Sequence, residues 1–134
     1  MEELLMKYSD FQFTQQLLIK ARFDVLPTDE EFNQEVSIDL RKNILRFTGK
    51  NKAVVSVTIS LNKSKTNVPF TAEVEMQSIF TWKKIGTREI NKFLEQNATA
   101  LLISYIRPII AILTASSPLK TCNIPFINTT NVEN

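Results

Sequence analysis

An α+β fold, a four-stranded antiparallel sheet with a broken long helix packed on one face, follows from three observations. Four segments ahead of "KKIG" alternate apolar and polar residues with a period of two. Beyond Gly86 the period becomes helical. The sheet read from the first part is apolar on one face only, so the helices must cover that face. With 134 residues and 43% hydrophobic content the chain is one domain over 1–134 that can build a core, with 1–9 and 129–134 expected to be flexible.

The first strand is "FQFTQQLLIKARFDV", where Phe11, Phe13, Leu17, Ile19, Ala21, Phe23 and Val25 share the odd phase and Gln15 is the exception. Pro27 stops the ladder and "TDEEFNQ" connects. The second, "EVSIDL", points Val36, Ile38 and Leu40 one way and Glu35, Ser37 and Asp39 the other. Its continuation, "RKNILRF", breaks phase at Ile44 and Leu45, which predicts a bulge or bend. "TGKNK" reads as a hairpin tip leading into "AVVSVTISL", with Val55, Val57, Ile59 and Leu61 in phase. The polar turn "NKSKTN" precedes "PFTAEVEMQSIFTW", where Phe70, Ala72, Val74, Met76, Phe80 and Trp82 oppose Thr71, Glu73, Glu75 and Gln77. Short connections between successive strands predict a meander.

Thr87 reads as a helix N-cap with Glu89 in the first turn, and Ile90, Phe93 and Leu94 form the stripe of a short helix. Asn97 is expected to end it and to cap a second helix running to "SSP". On that helix Asn97, Ala100, Ser104, Arg107, Ala111 and Thr114 fall on one narrow stripe of small or polar residues. The rest of the circumference is apolar, more than one sheet face covers. Leu102, Tyr105, Ile106, Ile109, Ile110 and Leu113 are therefore expected to pack against other subunits of a homo-oligomer. Pro108 removes one helical hydrogen bond and should kink the helix. The tail "LKTCNIPFINTTNVEN" should be extended or irregular.

Absences narrow the chemistry. The chain has no histidine and only Gly49 and Gly86 as glycines, so the commonest base, the commonest zinc ligand and any phosphate-cradling glycine loop are missing. No enzyme activity, metal or cofactor is expected. A net charge of +2 with interleaved signs is no nucleic-acid footprint. Arg107 beside Pro108 argues against membrane insertion of the apolar run, and the mixed-charge "MEELLMKYSD" is not a signal sequence. A cytoplasmic location is expected, in line with the single cysteine, Cys122.

The order of elements and several local motifs resemble the SecB family of protein-export chaperones. "FQFTQQLLIKARFDVLP" looks like its first strand, "NQEVSIDL" is similar to its P-E-V-x-L-D-L, and "PFTAEVEMQSIFTW" to its A-F-x-x-E-V-x-x-x-G-x-F. Tyr105 and Arg107 match a Tyr-x-Arg pair, and "NIPFIN" looks like the following L-x-P-V-N-F loop, so the likeness covers residues 11 to about 128. The resemblance implies an ATP-independent holdase for non-native polypeptide clients, a homotetramer built as a dimer of dimers, without a cofactor. It implies a peptide groove lined by Val36, Ile38, Leu40 and Phe70 and closed by Ile124 and Phe126. Asp24 and Glu73 match acidic positions that in some members contact the translocase motor. Lys20 stands where another acid is expected, Thr71 replaces a leucine, and with the chain ending at Asn134 the C-terminal helix and tail of those members are expected to be missing. Those departures weigh against motor docking and for the alternative, a chaperone or adaptor dedicated to one partner such as an antitoxin.

Overall fold

A computed structural model of the chain describes residues 11–26, 36–63, 68–83 and 86–115. Four strands, β1 (Phe11–Val25), β2 (Ile38–Arg46), β3 (Lys52–Leu61) and β4 (Phe70–Trp82), form one antiparallel sheet in the order β1-β4-β3-β2. The expected meander holds for β2, β3 and β4, but β1 lies beyond β4 at the far edge, a Greek-key arrangement. In this order the chain crosses from one edge of the sheet to the other between β1 and β2. The β2–β3 turn is as read: Gly49 takes φ 78°, and Phe47 N–H donates to the Lys52 carbonyl at 3.1 Å.

The middle strands carry the core. Val55, Val57, Ile59 and Leu61 on β3 and Phe70, Ala72, Val74, Met76 and Phe80 on β4 are buried on the inner face. Ser78 shares that face and is buried too, because its hydroxyl donates to the Gln15 carbonyl at 2.7 Å. That carbonyl lies at one of two register shifts in β1, between Phe13 and Gln15 and between Leu18 and Lys20. Phe11 and Phe13 oppose Trp82 and Phe80. Between the shifts Gln16 and Leu18 take the inner phase opposite Ser78 and Met76, and beyond the second Ala21, Phe23 and Val25 resume it. Gln15 and Leu17 therefore face outward, and the exceptional Gln15 marks a bulge, not a lapse in one long alternation.

The bulge expected at Ile44 and Leu45 is absent, since β2 pairs with β3 without a register shift from Ile38 to Arg46. Ile38, Leu40, Lys42 and Ile44 keep one phase, and Leu45 simply faces outward and is exposed. Lys42 disguised the alternation because its aliphatic stem occupies an inner position while its ammonium finds a partner on the helix.

One helical rod spans Thr87–Ala115: α1 (Thr87–Lys92), a π-helical segment (Phe93–Asn97) and α2 (Ala98–Ala115). The N-cap is Gly86, not Thr87, and the Glu89 carboxylate folds back into the space a Gly86 side chain would fill. The break expected at Asn97 is a change of winding. Ala98 stays right-handed at φ −64°, with its N–H reaching the Phe93 carbonyl five residues back, so no left-handed cap forms to stop the helix. The wider turn keeps Leu94, Ala98, Leu102, Ile106 and Ile110 on the side facing the sheet. The rod is long and apolar enough to cross a bilayer, yet that buried row is spent on the chain's own β3 and β4.

Candidate polypeptide-binding surface

The helix covers the middle of the sheet and leaves both edge strands partly uncovered. Along β2 the half-buried Val36, Ile38, Leu40 and Ile44 pack on the rim of the core. The span from Val36 to Leu40 is about 14 Å, enough for four or five residues of extended chain. Its far end is closed by polar ties to the helix. Lys42 Nζ lies 2.7 Å from Glu95 Oε2 and donates to the Glu95 carbonyl at 3.1 Å, and Arg46 donates to the Asn91 side chain. Only 5% of the Lys42 side chain is exposed, so this cation is held by the π-helical segment.

Of the residues read as groove walls, Val36, Ile38 and Leu40 come together on this flank. Phe70 does not join them. It lies on β4, separated from β2 by β3, where it is buried and stacks on Phe23 at 5.5 Å. Phe70 is core because inner positions of a central strand are covered from both sides. Ile124 and Phe126 lie outside the described residues, as do the termini expected to be flexible.

The β1 flank carries an apolar site that the sequence reading missed. Phe11, Phe13, Phe80, Phe93, Leu101 and Ser104 are among the residues lining a depression of about 570 Å³ between β1 and the helix. Phe11 stacks on Phe93 at 3.7 Å, Phe80 meets Phe93 edge-on at 5.6 Å, and Phe13 lies parallel to Tyr105 at 6.2 Å. Each aromatic residue was visible in its own element, but the cluster depends on β1 pairing with β4. The strand itself is exposed on both sides: Leu18, on the inner face, is 50% exposed, and Leu17, facing outward, is 38% exposed.

The helix divides the residues expected at a subunit interface into two sets. Leu102, Ile106 and Ile110 are 0% exposed against the chain's own sheet and are core residues. Tyr105 at 36% exposed and the half-buried Ile109 and Leu113 remain on the accessible side. The small-residue stripe is exposed at Asn97, Ala100, Ser104 and Arg107, while Thr114 is buried with its hydroxyl donating to the Ile110 carbonyl at 3.0 Å.

On the outer face, Glu73 pairs with Lys20 at 3.1 Å and Asp24 with Arg22 at 2.7 Å. The two acids proposed as motor contacts are thus each compensated by a basic side chain of β1. Among the described residues no three of His, Cys, Asp or Glu gather as a metal site would require.

The chain is thus a one-sided sheet closed by a single helix, with apolar residues along both flanks. Residues 11–132 match the SecB family, described as preprotein translocase subunit SecB, and the chain belongs to that family. No curated protein sequence matches the chain. Among solved structures it is similar to the SecB-like chaperone Rv1957 of Mycobacterium tuberculosis, in complex with a ChAD peptide from the HigA1 antitoxin. That likeness has 14% identity, 92% coverage of both chains and a TM-score of 0.70. A protein of unknown function from Streptococcus agalactiae is similar at 8% identity and a TM-score of 0.50, with 87% of this chain and 97% of that one covered.

Proposed function

We propose that the protein is an ATP-independent cytoplasmic holdase that binds non-native polypeptide segments along the β2 flank. The observation that carries this is the row of Val36, Ile38 and Leu40, half-buried at a sheet edge, in a chain of the SecB family. The row is apolar on one side only, since Asp39, Arg41 and Asn43 take the opposite phase. That suits a segment laid against the inner side, with pairing to the strand edge adding backbone hydrogen bonds. β1 is different, because its exposed apolar residues lie on both faces of a 15-residue edge. Pairing with a second subunit's sheet hides both faces together, and the accessible helix side around Tyr105 and Ile109 then joins two such pairs into a dimer of dimers. The test is suppression of aggregation of a chemically denatured client, without nucleotide, at substoichiometric amounts of the assembled protein. Absence of suppression even in large excess would reject the reading.

A second reading, a chaperone dedicated to one partner such as an antitoxin, is favoured by the internally paired Asp24 and Glu73, which present no free acidic patch to a translocase motor. It also fits the antitoxin peptide bound by the similar mycobacterial chaperone. Pull-down from cell extract separates the two, since a general holdase recovers many proteins and a dedicated one recovers a single partner.

A further inference from the structure

Asn62 follows β3 and has φ 59°, a left-handed conformation that asparagine tolerates better than most residues with a side chain. It is fully buried and ties three segments together. Its backbone N–H donates to the Ser37 carbonyl at 2.8 Å, its side-chain oxygen accepts from Ser37 N–H at 3.1 Å, and its Nδ2 donates to the Phe70 carbonyl at 3.0 Å. Ser37 stands between Val36 and Ile38, the first two residues of the β2 wall. The β2–β3 ladder begins at Ile38 opposite Leu61, and ahead of it Ser37 is held by one backbone bond from Asn62 and one bond to the Asn62 side chain. Removing the amide would leave the Ser37 N–H without this partner at a half-buried site and the Phe70 carbonyl without its partner at a buried one.

We infer that Asn62 is the positioning residue of the polypeptide-binding flank, fixing Val36 and Ile38 at the depth where a client side chain meets both. The inference rests on the reading of β2 as the client surface. Asn62→Gly keeps the left-handed backbone and deletes only the amide. Val74→Ala, in the core of β4, is the control for lost stability alone.

The probe is a fluorescein-labelled, reduced and carboxymethylated unfolded protein, titrated with the full chain and followed by anisotropy. Asn62→Gly should weaken binding about tenfold, whereas Val74→Ala should retain wild-type affinity. In hydrogen exchange the Ser37 amide of Asn62→Gly should open, while those of Val57 and Ile59 stay protected. Wild-type affinity in Asn62→Gly, or an equal loss in Val74→Ala, overturns the positioning role. A folded wild-type protein that does not bind the probe overturns the client reading itself, and the positioning role with it. Should Asn62→Gly lose its fold, hydrogen exchange of the wild-type chain decides the role: a Ser37 amide protected from exchange supports it, and one that exchanges as a free amide overturns it.

Discussion

Lys42 shows how one side chain sets local structure. Its stem continues the apolar row of β2, and its ammonium bonds both the carboxylate and the carbonyl of Glu95. Deleting the carboxylate strands a nearly buried cation. Glu95→Ala should therefore cost about 1–3 kcal/mol in urea unfolding, at the low end of buried-pair values because Glu95 is itself partly exposed. Lys42→Met keeps the packing and leaves Glu95 free to take up water, so its stability should stay within about 1 kcal/mol of wild type. At the hairpin tip Gly49 has open space around it, but its φ of 78° is strained for any side chain. Gly49→Ala should lower stability by about 1 kcal/mol without changing client binding.

At the scale of the element, the helix separates residues that sequence treats alike. Leu102→Ala or Ile106→Ala should cost about 2–5 kcal/mol in denaturant unfolding, because each empties a site fully enclosed by the sheet. Leu18→Asp, on the exposed edge of β1, should leave the subunit folded and shift the assembly toward smaller species in light scattering. The β3 and β4 alternations were legible because central strands bury every second side chain and tolerate few exceptions. The side of the helix that its own sheet covers was not. A helix apolar over most of its circumference does not reveal which arc its own sheet takes, and the π-helical segment then shifts that arc after Phe93. The shared phase of Val36, Ile38 and Leu40 was readable from period two. Phe70 was misplaced because assigning it to a wall or a core requires the strand order, which no local pattern carries.

At the scale of the whole molecule, the proposed client surface is apolar, and the outer-face acids Asp24 and Glu73 are paired with basic side chains of β1. Raising ionic strength should consequently leave affinity for an unfolded client unchanged or tighter, whereas a charge-steered surface would lose affinity. Light scattering of the purified protein should give more than one subunit, and a clean monomer would reject the assembly. The Greek-key order also imposes a schedule. Residue 11 pairs with residue 82, so of the described strands β1 waits longest for its partner, while β2, β3 and β4 close through short connections. Pulse-labelled hydrogen exchange during refolding should show β3 and β4 amides protected before those of β1. Until Trp82 has been synthesised, the nascent chain carries an apolar strand with nothing to lie against, and this member of a chaperone family begins life in the condition of a client.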